Sequence, residues 1–239
     1  KPNTTAQFYI FTVYEHNNNV YGMQYSLVDM SLSGGLGEVV AGQKNIEVLT
    51  HCSEKVTAVK SNDCESFWVI GFANADENID DNFTTFYAVK VDATGVSNSF
   101  VTSSFLHPSG TLNDGRGYLK VSPNGMNVAI AHSGFLGSGA VLYDFDDTTG
   151  IVSNQRVLNL SDPTHPNNDS FTTPYGVEFS PDSSKLYITS YDDQGDFDSD
   201  NPPNEAWLWQ FDVNNLPADN SGLIISYNLH EYRGALQLG

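Results

Sequence analysis

From residue 117 onward, apolar β-formers come in short runs cut by Pro, Asn, Gly and Asp. Residues 118–121 alternate around Lys120, Ser122-Pro123-Asn124-Gly125 makes a turn, and 127–132 is a second run. A glycine-rich loop at 134–139 leads to a third run at 140–145, a turn at 146–150 and an outer run at 151–160. Runs of this kind, bounded by turn formers, predict strands joined by tight turns. The same order then recurs as 176–179, the turn 180–184, 185–190, a long acidic loop, 206–211, the turn 212–215 and 222–229. Ser122-Pro123 aligns with Ser180-Pro181, a spacing of 58 residues (122 to 180). A four-strand unit copied at that period predicts an all-β chain, a β-propeller with four-stranded blades.

The rest of the chain fits the same unit less completely. Residues 8–13 and 23–30 predict the second and third strands of a blade whose first strand is missing or lies at the chain's other end. Residues 38–50 supply its outer strand. The next blade is predicted at 56–60, 67–72, 85–91 and 96–105, and 234–239 reads as the innermost strand of yet another. Blade boundaries fall near 1–50, 51–105, 117–160, 174–229 and 233–239, within a single propeller domain or a fragment of one. That makes three full blades plus two partial ones, an incomplete ring. A sheet ring closes to hide its edges, so the expectation is membership of a larger ring. The alternative is a four-bladed ring in which Leu236 and residues 8–13 share one composite blade.

Charge narrows the partners. With 29 acidic and 10 basic residues the net charge is −19, a field that repels phosphate backbones and argues against nucleic acid. The simplest reading of the acidity is a solvated surface. No apolar run is long enough to span a bilayer, and Lys1 in place of an initiator Met reads as a mature, processed or excised segment. Cys52 and Cys64 flank the predicted strand 56–60. About 20 Å of strand between them predicts two unpaired thiols rather than a disulfide.

The stretch Tyr25 to Val39, with its Y-S-x-V-D-M-x-L-x-G-G-L-G-E-V pattern, resembles a specific group. These are the propeller regions of large exported Bacteroidota surface proteins that end in a gliding-motility-associated, type IX secretion sorting domain. The resemblance extends to Tyr9–Thr12, to Thr57–Lys60 with Trp68, to the Ser-Pro turns, to D-F-D-x-x-T-G at 144–150 and to Ala235–Leu238. It implies export, a secreted or cell-surface address outside the bacterial outer membrane, and an adhesion, binding or scaffolding role. It implies no catalytic residues.

Blade topology sorts the loops. Connections from first to second and from third to fourth strand share one rim and are short: 61–65, 92–95, 122–125, 146–150, 180–184 and 212–215. Those at the other rim are long: 14–21, 73–82, 107–116, 161–174 and 192–205. Long loops on a rigid scaffold are where binding concentrates. His107, Asp114, Arg116, His165, Tyr191 and Phe197 are therefore the candidate ligand-binding residues. Tyr14, Phe83, Phe135, Tyr191 and Phe197 are the loop aromatics able to stack on a sugar.

In the acidic loop, Asp196, Asp198 and Asp200 alternate as calcium ligands do, with Asp193 and Glu205 nearby. Asn201 stands where an EF-hand needs Gly, so any calcium site there is of another kind. Lys120, Glu178 and Gln237 share one innermost-strand position, either lining the channel or pairing with one another. The expected function is a non-enzymatic module engaging a protein or glycan through the long-loop face. Its expected partners are the remainder of a larger chain of its own, other cell-surface proteins, or glycan. The alternative is a lactonase-like, metal-dependent propeller hydrolase, which would need acidic, His and Asn side chains from several blades converging at the axis.

Overall fold

A computed structural model describes residues 1–14, 22–75, 83–107, 115–133, 139–162, 172–192, 205–217, 219–229 and 234–237. The strands fall into four antiparallel sheets of four. The first holds β1 (Gln7–Val13), β2 (Met23–Asp29), β3 (Glu38–Val39) and β4 (Ile46–Leu49). The second holds β5 (Val56–Lys60), β6 (Phe67–Ala73), β7 (Thr85–Asp92) and β8 (Gly95–Ser104). The third holds β9 (Leu119–Val121), β10 (Asn127–His132), β11 (Gly139–Asp146) and β12 (Ile151–Leu158). The fourth holds β13 (Thr172–Phe179), β14 (Lys185–Asp192), β15 (Glu205–Asp212) and β16 (Leu223–Leu229). Each of the last three is a meander in chain order, one propeller blade apiece.

The middle strands are continuously apolar because both of their faces are buried. Along β6, Trp68, Ile70 and Phe72 enter the core shared with the third sheet, while Val69 and Ala73 enter the core shared with the first. Along β10, Val128 and Ile130 face back to the second sheet, and Ala129 and Ala131 face forward to the fourth. Period-two alternation thus feeds three successive interblade cores instead of one core and one wet surface. First strands of neighbouring blades adjoin: the Tyr118 amide donates to the Tyr175 carbonyl at 3.0 Å, and the Val121 amide to Thr57 Oγ1 at 3.4 Å. These strands are the innermost by chain order of each meander. There Lys120 and Glu178 form an ion pair at 3.0 Å, so two of the three aligned polar positions pair with one another.

Beyond shifts of one or two residues at strand ends, two strands and the ring closure differ from the sequence reading. The outer strand expected over 38–50 is split into β3 and β4, both paired with β2, because Gly42 (φ 74°) and Asn45 (φ 52°) turn the chain between them. The strand expected to start at Gly176 starts at Thr172, since a register shift between Pro174 and Val177 lets pairing run past the proline. In the first sheet, β1 pairs with β2 and with no other described strand. The described residues 234–237 run against the fourth blade instead, where Thr189 Oγ1 donates to the Gly234 carbonyl at 2.5 Å. No described ladder joins them to β1, so the composite four-bladed closure is not what the described residues form. Cys52 is buried, Cys64 is exposed, and no disulfide joins them, since they lie at opposite ends of β5 as the strand length requires.

Candidate functional site: the long-loop rim and its floor

The two rims are built differently. At the short-loop rim the second, third and fourth blades close on themselves. In the 122–127 turn, the Ser122 amide donates to the Asn127 carbonyl at 2.8 Å and the Asn127 amide to Ser122 Oγ at 2.9 Å. In the 180–185 turn the equivalent bonds, Ser180 to the Lys185 carbonyl and Lys185 to Ser180 Oγ, are both 2.9 Å. Gly125 and Ser183 take the left-handed position (φ 73° and 62°).

A third copy is present at 61–66. The Ser61 amide donates to the Ser66 carbonyl at 2.9 Å, Asp63 Oδ1 accepts from the Glu65 and Ser66 amides, and Cys64 sits at φ 59°. The other turns of this rim open with Asp92, Asp146 and Asp212, each accepting from the amide two residues on at 2.7, 2.9 and 3.1 Å. These are side-chain-capped turns. The donors hold the carboxyls below their ordinary range, Asp182 at about 2 through Ser180 and Ser184, and Asp63 also well down through Ser66, the Glu65 amide and Lys90.

The same rim is stitched from blade to blade. The Asp147 carbonyl accepts Trp68 Nε1 at 2.8 Å, Ser61 Oγ at 2.9 Å and the Asn62 amide at 3.3 Å. The Asn124 amide donates to Ser183 Oγ at 3.0 Å. Many of this face's polar groups are therefore engaged within the fold.

At the opposite strand ends the described residues form a buried polar floor. Lys55, just before β5, is 1% exposed, and its Nζ donates to the carbonyls of Gly115 and Arg116, just before β9, at 2.5 and 2.6 Å. An ammonium is tolerated at that depth because carbonyl oxygens replace its water. His132 closes β10 and is 1% exposed, and its ring meets that of His107 edge-on at 4.9 Å between centroids and that of Phe72 at 5.4 Å. Burial and then the Lys55 charge press His107 down to about 4. Burial, Lys55 and His107 press His132 well below the usual imidazole range. Both rings are neutral at pH 7. Next to them the Ser133 and Tyr191 hydroxyls are 3.1 Å apart, linking the third blade to the fourth.

Of the predicted ligand residues, His107, Arg116 and Tyr191 fall in this one network, drawn from three successive blades. His107 and Tyr191 lie beneath the surface, 8% and 2% exposed. Phe83, expected as a stacking platform, packs against the core between the second and third blades. Glu205 opens β15 and its Oε1 accepts the Tyr227 hydroxyl at 2.6 Å, which pushes that phenol up to about 12. Asp114, His165, Phe197, Asp193, Asp196, Asp198, Asp200 and Phe135 lie outside the described residues. Among the described residues no group of three acidic, His or Cys side chains is placed to hold a metal. Sequence reasoning missed Lys55. Nothing in Cys52-Ser53-Glu54-Lys55 separates a buried lysine from a solvated one, and the partners it needs are two backbone carbonyls sixty residues away.

The architecture is that of a β-propeller protein, and comparison with solved structures agrees. A periplasmic gluconolactonase of Pseudomonas aeruginosa, PpgL, is similar at 13% identity over 93% of this chain and 68% of that one, with a TM-score of 0.51. TolB of Acinetobacter baumannii matches at 13% identity over 88% of this chain and 40% of its own, TM-score 0.37. A Lactobacillus plantarum protein matches at 12% over 94% and 67%, TM-score 0.41. Identities this low show the fold alone. No protein-family model matches the chain, and no curated protein does.

Proposed function

We propose that this propeller is a non-enzymatic binding or scaffold module of an exported bacterial surface protein, engaging a protein or glycan through its long-loop rim. The observation that carries the reading is the contrast between the rims. One is closed by capped turns that bond to themselves and to the next blade. At the opposite strand ends, where the sequence has its long connections, the described residues are tied across blades by Lys55, His132 and Tyr191. A rigid floor under long loops is the arrangement in which loop sequence varies without disturbing the scaffold. The export and type IX secretion reading rests on the Tyr25–Val39 resemblance.

The test is a panel of immobilised bacterial envelope glycans and surface proteins probed with the chain and with a variant carrying Tyr14→Ala and Phe197→Ala. Saturable binding lost in the variant is the expected result. Binding unchanged by those substitutions would refute the long-loop assignment. For the acidic loop we propose calcium through Asp193, Asp196, Asp198, Asp200 and Glu205. Its test is the melting temperature with and without a calcium chelator, and an unchanged melting temperature removes it.

A second reading, a lactonase-like hydrolase, draws on the meeting of His107, His132, Lys55 and Tyr191 from several blades. Against it, the ammonium is engaged by backbone carbonyls and both imidazoles are buried. Turnover of a δ-lactone abolished by His107→Gln would favour it over the binding module.

A further inference from the structure

We propose that the inner edge of β1, which no described strand pairs, with the apolar face formed by Phe8 and Ile10, is the seat of a further four-stranded blade of the same polypeptide. The observation is a broken equivalence. In each later blade the second strand turns alternate side chains back toward the preceding blade, and these are buried: Val69 and Ala73 on β6 at 3% and 0%, Val128 and Ile130 on β10 at 0%, Leu186 and Ile188 on β14 at 0%. On β1, the second-strand equivalent, Tyr9, Phe11 and Val13 pack forward on the second blade. The backward pair, Phe8 and Ile10, is 50% and 51% exposed.

The edge tells the same story as the face. β6, β10 and β14 are each paired on both sides, whereas β1 among the described strands pairs only with β2. Along that edge the Lys1 ammonium bonds the Gln7 carbonyl at 2.6 Å, and a strand edge with aromatic and β-branched residues that no other strand pairs is the feature that folded β-proteins avoid. The slot beside β1 is the one that β5, β9 and β13 fill in the other sheets.

The opposite side of the ring fixes the kind of occupant. Residues 234–237 lie against Gly176 and Thr189 of the fourth blade, so close that a Cβ on Gly176 would sit 2.3 Å from the Gly234 carbonyl oxygen. A segment already seated beside the last innermost strand lies where a ring built in the direction of the first four sheets would continue. PpgL, matched over 68% of its length, leaves about a third of a like-folded ring for the blades that bridge the two sides. A second copy of this chain is the competing occupant, and it would bring two charges of −19 together.

Two measurements on the protein in its native cells test this. An antibody raised against the 239-residue chain reads the mass of the polypeptide on a denaturing gel. A photocrosslinking phenylalanine analogue at position 8 reports what touches the face. The proposal expects a polypeptide longer by at least two blade lengths, and an intramolecular crosslink mapping to a peptide outside these 239 residues. A 26.2 kDa polypeptide crosslinked to itself as a dimer would assign the face to a second copy and overturn the proposal. So would a 26.2 kDa polypeptide with no crosslink, or a longer one whose crosslink maps elsewhere.

Discussion

Replacing Lys55 by Met keeps an unbranched apolar stem of about the same reach as the lysine methylenes and removes the ammonium. In the wild type that ammonium bonds the carbonyls of Gly115 and Arg116, the point at which the chain enters the third blade. Hydrogen bonds to charged groups are worth about 1.5–3 kcal/mol, and a buried acceptor left unsatisfied costs about 1–3 kcal/mol. Relief from burying a charge offsets part of this. Lys55→Met is therefore expected to lower stability by about 3 kcal/mol at pH 7.5, which for a domain of this size lowers Tm by about 6–12 °C. Urea unfolding followed by tryptophan fluorescence gives the free energy. A loss below about 1 kcal/mol would mean that the floor is not held by this lysine, and the reasoning about a rigid base under the long loops would fail.

Other substitutions and conditions follow from the same geometry. His107 and His132 have folded-state values below the unfolded imidazole value of about 6.5, so the unfolded chain binds the extra protons. Their contribution is present above about pH 6.5 and falls as pH drops toward about 4. Thermal melts across pH 4 to 7.5 should show that slope, and His132→Phe should flatten it; an equal slope in the variant would contradict the assignment. Cys64 occupies the left-handed position that Gly125 fills in the third blade. Cys64→Gly should thus stabilise by about 0.5–1 kcal/mol, the backbone strain relieved less the entropy of glycine. Ser183→Gly should not, because it gives up the bond from the Asn124 amide; equal gains at both positions would show that the turn argument is incomplete.

The sequence carried the four-stranded repeat and the strand order within the last three sheets, because alternation and turn chemistry are local signals. It carried the Ser122 and Ser180 turns but not their third copy. At 61–66 the chain has Asn62 where the others have Pro, and Cys64 where Gly or Ser stands, so only the shared hydrogen bonds and backbone angles reveal it. The break in the first blade's outer strand depends on left-handed angles at Gly42 and Asn45, which residue type permits without requiring. The binding candidates His107, Arg116 and Tyr191 were identified as loop residues. Their burial in one network arises from packing between blades, and no linear pattern encodes that. Much of the rim-side acidity likewise resolves into turn caps, a role visible only once Asp63, Asp92, Asp146, Asp182 and Asp212 are seen accepting neighbouring amides.

Cys64 offers a direct test of the division between rims, because it is an exposed thiol on the short-loop rim while Cys52 is buried. The chain can be tethered to a sensor surface through Cys64, or through Asp198→Cys in a Cys64→Ser background, and the two orientations compared for capture of envelope glycans and surface proteins. The account expects capture by the Cys64-tethered chain and its loss when the long-loop rim faces the surface. Equal capture in both orientations, or capture only through the Asp198 tether, would contradict it.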